Sequence, residues 1–169
     1  MRPRATTSVL LLVLLAGACA RKETAPDAAD ADPSLLVARS EFRAHCSACH
    51  GLEGKGAPKL YPPLTGESWA LRSVEAAVRV VLHGLDGDLV LAGERYKNLM
   101  PPLGDRLQDV QVARILTYVR GSWGNAAPPV GPEEVAAIRA ATADRQRPWT
   151  APEIEPLLTG AERDTARSP

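Results

Sequence analysis

Hydrophobic residues recur every three or four positions in several stretches of the chain, which is the spacing of one face of an α-helix. The predicted helices cover about residues 34–48, 73–84, 108–123 and 132–142, and a capping box at Thr150–Glu153 predicts a last short helix. No stretch shows an alternating strand pattern of consequence, and no internal repeat is present. The pattern therefore predicts an all-α domain.

Local residue chemistry supports the ends of these helices. Ser34 suits the N-cap of the first helix, and Gly84 suits the C-cap of the second. Pro132 is placed at the first position of the fourth helix. Between the helices run long polar loops rich in Gly and Pro, one from Gly51 to about Arg72 and another that holds Met100.

The N-terminal segment has the pattern of an export signal. Positive charge at Arg2 and Arg4 precedes an apolar run from Val9 to Leu15, far shorter than the roughly 20 residues of a membrane-spanning helix. The following small residues and Cys19 resemble a bacterial lipobox, with Ala16 where Leu is usual. We expect residues 1–18 to be a signal peptide and Cys19 to carry lipid. The alternative is ordinary cleavage after Ala18 or Ala20, which leaves a soluble periplasmic protein.

The rest of the domain organisation follows from composition. Residues 19–34 have no hydrophobic periodicity and read as the lipid-attachment Cys and a flexible linker. We expect a main domain at 35–125, a helical C-terminal extension at 126–160 and a disordered tail at 161–169.

Charge and aromatic content restrict the possible classes of function. The chain has 20 basic and 20 acidic residues, so nothing indicates a nucleic-acid surface. One Phe, three Tyr and three Trp are few for a self-sufficient core of this size. A bulky apolar cofactor that fills part of the interior would account for this.

Cys46, Cys49 and His50 form a Cys-x-x-Cys-His motif, the attachment signal of haem c. Cysteines three residues apart on a helix present both thiols to one side, where they can capture two haem vinyl groups as thioethers. His50 is then positioned as the proximal iron ligand. A redox dithiol would require a βαβ context, and a zinc site would require a second Cys or His pair. Since Cys19 is assigned to lipid, no pair remains and we predict no disulfide.

A second axial ligand must come from elsewhere in the chain. The candidates are Met100, His45 and His83, because Met1 leaves with the signal. Met100 lies in a polar loop, whereas a Met that only fills the core normally lies in an apolar run. We therefore favour Met100, whose thioether would stabilise the ferrous state and raise the reduction potential. His83 suits the end of a helix, and His45 the surface.

From about Leu35 to Asn125 the chain resembles a class I cytochrome c. The resemblance rests on four short segments and on one pair of aromatic residues from two helices. They are Cys46–Gly51, Pro62–Gly66, Asn98–Pro101, Ile115–Val119, and Phe42 with Tyr118. It implies a cytochrome c fold of three to four core helices around one covalent haem, with Phe42 and Tyr118 locking the first and last core helices. It also implies that the Pro62 carbonyl accepts the Nδ1–H of His50 and that Leu64 packs on the haem.

A more specific similarity covers His83 to Asn125, Glu134–Arg139 and Pro148–Thr150. These segments are similar to small cytochrome domains found beside, or fused to, periplasmic dehydrogenases and copper nitrite reductases. The chain departs from that pattern at Asp88, where Pro is common, and at Gln108, where Ser or Thr usually caps the last core helix.

Four aromatic residues lie outside these motifs and need a separate account. Trp69 and Tyr96 flank the haem loops, and either a propionate hydrogen bond or simple packing accounts for them. We expect Trp123 and Trp149 to anchor the extension onto the core.

The function implied is one-electron transfer on the periplasmic side of a membrane. The partners would be a periplasmic dehydrogenase or membrane complex as donor and an oxidase or reductase as acceptor. One alternative is a dedicated cytochrome subunit of an enzyme complex, with residues 126–160 as a docking surface. Another is a sensor or enzyme with a labile distal site. The single attachment motif excludes a di-haem peroxidase.

Overall fold

A computed structural model of the chain describes residues 33–159. In this range lie seven helices and one two-stranded sheet. The helices are α1 (Pro33–His45), α2 (Ser47–His50), α3 (Trp69–Arg72), α4 (Val74–His83), α5 (Asp109–Gly121), α6 (Pro132–Ala141) and α7 (Ala151–Leu158), and the strands are β1 (Leu89–Leu91) and β2 (Glu94–Tyr96). The predicted signal peptide, Cys19 and the predicted tail lie outside the described residues. The predicted all-α class is confirmed.

The predicted helix ends agree with the structure to within a few residues. Ser73 caps α4 by accepting the N–H of Ala76 at 3.2 Å, and Gly84 follows its last residue. At α5, Gln111 takes over part of the capping role because its Oε1 accepts the N–H of Gln108 at 3.0 Å. The departure at Gln108 is thus compensated three residues later.

The first predicted helix is two helices in the structure. The backbone of Cys46 leaves helical geometry at φ −122°, so α1 ends at His45 and α2 starts at Ser47. Hydrogen bonding nevertheless continues across the break: the N–H of Cys46 donates to Phe42 at 2.8 Å, and the N–H of His50 donates to Cys46 at 3.0 Å. The attachment motif therefore lies on a corner between two helices.

The core is centred on the packing of α1 and α6 against α5. Phe42 is fully buried, and its ring centroid lies 5.5 Å from that of Tyr118 and 5.2 Å from that of Trp123. The Phe42–Tyr118 pair thus joins α1 to α5, as the resemblance implies. Trp123 completes this aromatic cluster. This differs from the role predicted from the sequence, in which Trp123 anchors the extension.

A small hairpin is present where the hydrophobic pattern predicts no strand. Strands β1 and β2 are antiparallel and pair Leu89 with Tyr96. Ala92 and Gly93 connect them with positive φ values of 50° and 79°, which suits a two-residue hairpin turn. Three-residue strands are too short to show a readable alternation, so hydrophobic periodicity could not predict them.

The described part of the extension packs back onto the main domain. Helix α6 packs on α5 and α4, and α7 packs on α4. Trp149, which is 9% exposed, joins Ala76, Ile154 and Leu158 in a second buried cluster, so its expected anchoring role is confirmed. Over residues 33–159, every helix is too short or too polar to cross a bilayer.

Candidate haem site

The attachment motif lies at one wall of a deep cavity. Cys46, Cys49 and His50 all line it, and they are brought there by the corner between α1 and α2. Phe42 sits one turn before Cys46 and buries this end of α1 in the core. The structure therefore brings the two thiols and the imidazole together on one surface, although they do not share one continuous helix.

The surroundings of the first cysteine disfavour its ionisation. Burial, together with the neighbouring Cys49, raises the pKa of the Cys46 thiol to about 12. Redox and metal-binding cysteines instead have a lowered pKa, because the thiolate is the reactive form. Among residues 33–159 no group of three or more Cys, His, Asp or Glu side chains could hold a metal ion. The surroundings of Cys46 therefore do not favour the thiolate form.

His50 is held by the loop that follows it. Its Nδ1 lies 3.0 Å from the carbonyl oxygen of Pro62, and because a carbonyl only accepts, Nδ1 is the protonated nitrogen. Burial lowers the pKa of His50, an effect that the hydrogen bond to Pro62 partly opposes, so the ring is neutral at pH 7. The lone pair is then on Nε2, the nitrogen that can bind a metal. A hydrogen bond to the other ring nitrogen also fixes the orientation of such a ligand.

The loop around Pro62 is braced by contacts that the sequence did not reveal. The N–H of Gly56 donates to the His50 carbonyl at 2.8 Å, and the N–H of Leu64 donates to Gly54 at 2.7 Å. Asn125 Nδ2 donates to the Leu64 carbonyl at 3.0 Å, which ties the loop to the end of α5. Leu64 lines the cavity beside the attachment motif. The bond from Asn125 joins positions 61 residues apart in the chain, so no local pattern could predict it.

Met100 lines the same cavity from a different segment. Its backbone is bonded to Leu85 in both directions: the N–H of Met100 donates to Leu85 at 2.9 Å, and the N–H of Leu85 donates to Met100 at 3.1 Å. Gly84, with φ +81°, allows this approach, because a Cβ at that position would collide with the Met100 carbonyl. The Met100 loop is therefore pinned to the end of α4.

The cavity fits a large apolar cofactor. The space between its walls, including the open mouth, is about 1280 Å³. Apolar side chains from α4, α5, the hairpin and the loop before α5 form most of its walls, among them Val81, Leu89, Leu91, Leu103 and Leu116. Polar chemistry is confined to a few points, including His50 and the two thiols. This is the arrangement that a covalently held, largely buried macrocycle requires.

The other candidate residues occupy distinct places. Trp69 and Tyr96 both line the cavity, and a propionate contact for either stays a prediction. His45 is exposed at the rim of the cavity. His83 is absent from the cavity lining, and its Nε2 lies 2.8 Å from the Thr142 hydroxyl. The surrounding residues lower the pKa of His83, first through burial and then through Arg145, Arg139 and Arg79.

Comparison with known proteins finds a matching family model and several relatives. Residues 35–119 match the family model described as cytochrome c oxidase, cbb3-type, subunit III. Cytochrome c-552 of Thermus thermophilus is 28% identical over 128 residues, covering 73% of this chain and 92% of the relative. The gluconate 2-dehydrogenase cytochrome c subunit of Pantoea cypripedii is 34% identical over 102 residues, or 56% of this chain and 22% of that subunit. The fructose dehydrogenase cytochrome subunit of Gluconobacter japonicus is 30% identical over 106 residues, or 59% and 21%.

The family match spans half of the chain and includes the attachment motif and Met100. Members of this family bind haem covalently, and the single Cys-x-x-Cys-His motif provides for one haem c. The chain belongs to the cytochrome c family of the cbb3-type subunit III model, and it is a mono-haem c-type electron carrier.

Proposed function

We propose that the haem is attached through Cys46 and Cys49, with His50 and Met100 as the two axial iron ligands. The observation that carries the proposal is the single apolar cavity into which all four residues open from two segments of the chain. When bound, the haem supplies a couple between the ferric and ferrous states. The chain's own residues attach it, orient the imidazole through Pro62, and exclude water with the walls that include Leu64.

Two protein ligands leave no open iron position for a substrate. We therefore propose that the protein transfers electrons and performs no chemistry on a bound small molecule. The competing function, a sensor or enzyme with a labile distal site, requires Met100 to leave the iron readily. Its backbone bonds to Leu85 and the close packing at Gly84 argue against such a loop movement.

The optical spectrum of the purified holoprotein tests the ligand set. Ferric haem with a Met ligand has a weak red absorption band, and Met100→Ala should abolish it and lower the reduction potential. His45→Gln is a matched control that removes another candidate ligand at the cavity rim, and it should keep the band. A wild-type protein that lacks the band and binds carbon monoxide rapidly would contradict the carrier proposal.

We further propose that the carrier exchanges electrons with periplasmic or membrane-bound redox enzymes. Cytochrome c-552 is matched over nearly its whole length, which favours a free carrier. The similarity to cytochrome subunits of sugar and alcohol dehydrogenases supports the second candidate, a dedicated subunit, although the chain covers only about a fifth of those subunits. Co-purification from membranes separates the two, because a stable stoichiometric partner is expected only of a subunit.

We base the proposed location on the N-terminal sequence and on membership of a family of haem c proteins, which are typically exported. Residues 1–18 would direct export, and a lipid on Cys19 would hold the domain at the periplasmic face of a membrane through the linker 19–34. Labelling with a radioactive fatty acid tests this directly. Label on the wild type and none on Cys19→Ser would support the anchor, whereas an unlabelled, soluble wild type would identify an ordinary signal peptide.

A further inference from the structure

The segment that holds Met100 is itself held from its other side. Leu85 forms a bridge with Met100 and a second bridge, parallel, with Trp149. The N–H of Trp149 donates to the Gly84 carbonyl at 3.0 Å, and the N–H of Asp86 donates to the Trp149 carbonyl at 2.8 Å. Leu85 is therefore the middle of three short extended segments, with the Met100 loop on one side and the C-terminal extension on the other.

The side chain of Trp149 anchors the outer segment. Its ring is in contact with two guanidinium groups, with the Arg145 Cζ 3.4 Å and the Arg79 Cζ 4.9 Å from the ring centroid. The ring of His83 meets it nearly at a right angle, 6.3 Å away. Because Arg79 and His83 lie on α4, these contacts fasten the extension to the helix that ends beside Leu85.

Both guanidinium groups are held in place by carboxylates. Arg145 pairs with Glu153 at 2.9 Å, and Arg79 pairs with Glu75 through contacts of 2.6 and 3.0 Å. Glu153 also accepts the backbone N–H of Thr150, next to Trp149, at 2.9 Å. The Trp149 ring is thus held by two ion-paired guanidinium groups, and its position does not depend on the indole N–H, which has no hydrogen-bond partner among the described residues.

We propose that Trp149 is a positioning residue for Met100. This rests on the proposed role of Met100 as an axial ligand. Trp149 is absent from the cavity lining and would act only through the backbone of Leu85. By fixing the Leu85 segment, it keeps the Met100 thioether at the iron and keeps external ligands away. The C-terminal extension then has a function at the haem, in addition to covering the core.

The test compares three variants of the full-length holoprotein. Trp149→Ala should weaken the red Met band and accelerate carbon monoxide binding to the ferrous protein about tenfold. The reduction potential should fall by about 59 mV, because a thioether favours the ferrous state. That shift is equivalent to a tenfold change in the equilibrium constant of a one-electron reduction. Trp149→Phe keeps the stacked ring and loses no hydrogen bond, so it should stay within about twofold of the wild type.

Trp123→Ala is the matched control for a general loss of stability. It removes a partly buried Trp from the cluster with Phe42 and Tyr118, away from the Leu85 bridges. It should lower the free energy of unfolding and leave the carbon monoxide rate unchanged. Equal effects of Trp123→Ala and Trp149→Ala on that rate would overturn the proposal, as would an unchanged rate in Trp149→Ala. A wild type without the Met band would instead contradict the ligand assignment itself.

Hydrogen exchange in the wild type provides a test that needs no variant to fold. If the extension holds the Met100 segment, the amides of Asp86, Trp149, Leu85 and Met100 should open together with one free energy. Exchange of Trp149 and Asp86 at least tenfold faster than that of Leu85 and Met100 would mean that the extension opens independently. That result would overturn the proposal.

Discussion

Space and backbone conformation together require glycine at position 56. Its φ is +63°, a region that costs other residues about 1–2 kcal/mol. A Cβ there would also lie 2.7 Å from the Pro62 carbonyl oxygen, the atom that accepts the proton of His50 Nδ1. The glycine thus permits the carbonyl to reach the imidazole.

Gly56→Ala should therefore affect the haem as well as stability. The added methyl pushes the Pro62 carbonyl away from His50, which weakens the hydrogen bond and makes the imidazole a poorer donor to the ferric ion. We expect a higher reduction potential, measured by redox titration, and a loss of unfolding free energy of about 2 kcal/mol or more. Gly66→Ala is the control, because Gly66 has φ +61° with open space around it. Equal shifts of potential in the two variants would contradict this account.

Among the elements, α7 depends most directly on one ionised side chain. Hydrogen bonds from Arg145, and then from the hydroxyl and backbone of Thr150, lower the pKa of Glu153 to about 2. A carboxyl group with a lowered pKa in the folded state stabilises that state above its unfolded pKa, near 4.5. This stabilisation is lost as the pH falls from about 4.5 towards 2.

Glu153→Gln should remove that pH dependence. Urea unfolding should find the variant less stable than the wild type at pH 7, with the difference shrinking as the pH is lowered below about 4.5. Glu155→Gln, at an exposed position on the same helix, should follow the wild type at every pH. A Glu153→Gln deficit that persists undiminished at pH 2.5 would show that the ion pairs are not its cause.

The elements also show how far a single sequence could predict this fold. Helix α4 was predictable at both ends, because Ser73 and Gly84 are local signals for its cap and its termination. The break at Cys46, the short helix α3 and the hairpin were not, because each is only a few residues long. In the site, the attachment motif was predictable because it is a local pattern. Met100 was predictable as a candidate ligand because it lies in a polar loop and not in an apolar run. The bridge between Leu85 and Trp149 joins positions 64 residues apart in the chain (149 − 85), and only the folded structure reveals it.

At the scale of the whole molecule, positive and negative charges nearly balance. The formal net charge of the full sequence is zero, and it is −2 once residues 1–18, with Arg2 and Arg4, are removed. Lys55 pairs with Glu53 at 2.6 Å, and Arg95 pairs with Asp88 on the hairpin at 3.1 Å. Leu99 beside Met100 is 52% exposed, so apolar surface lies at the entrance as well. Long-range electrostatic attraction of a charged partner is therefore weak.

This balance predicts electron exchange that depends little on salt. Rate constants with a cationic and an anionic small one-electron reagent, measured by stopped flow, should change less than about threefold as the Debye length falls from about 30 to 3 Å between 0.01 and 1 M ionic strength. Glu53→Lys breaks the balance and should produce salt effects of opposite sign with the two reagents. Steep, opposite salt effects in the wild type would mean that a local field dominates at the haem edge.

The place of Trp149 after the attachment segment in the chain would set an order of maturation. A ribosome completes the attachment segment 46–50 about a hundred residues before it completes Trp149, and an exported chain would cross the membrane in the same direction. Haem capture can begin while the segment that stabilises the Met100 loop is still being made. The distal side then stays open to an incoming haem during assembly and closes only when the last helix docks. A truncated or stalled chain would accordingly carry its haem but leave the iron accessible to foreign ligands.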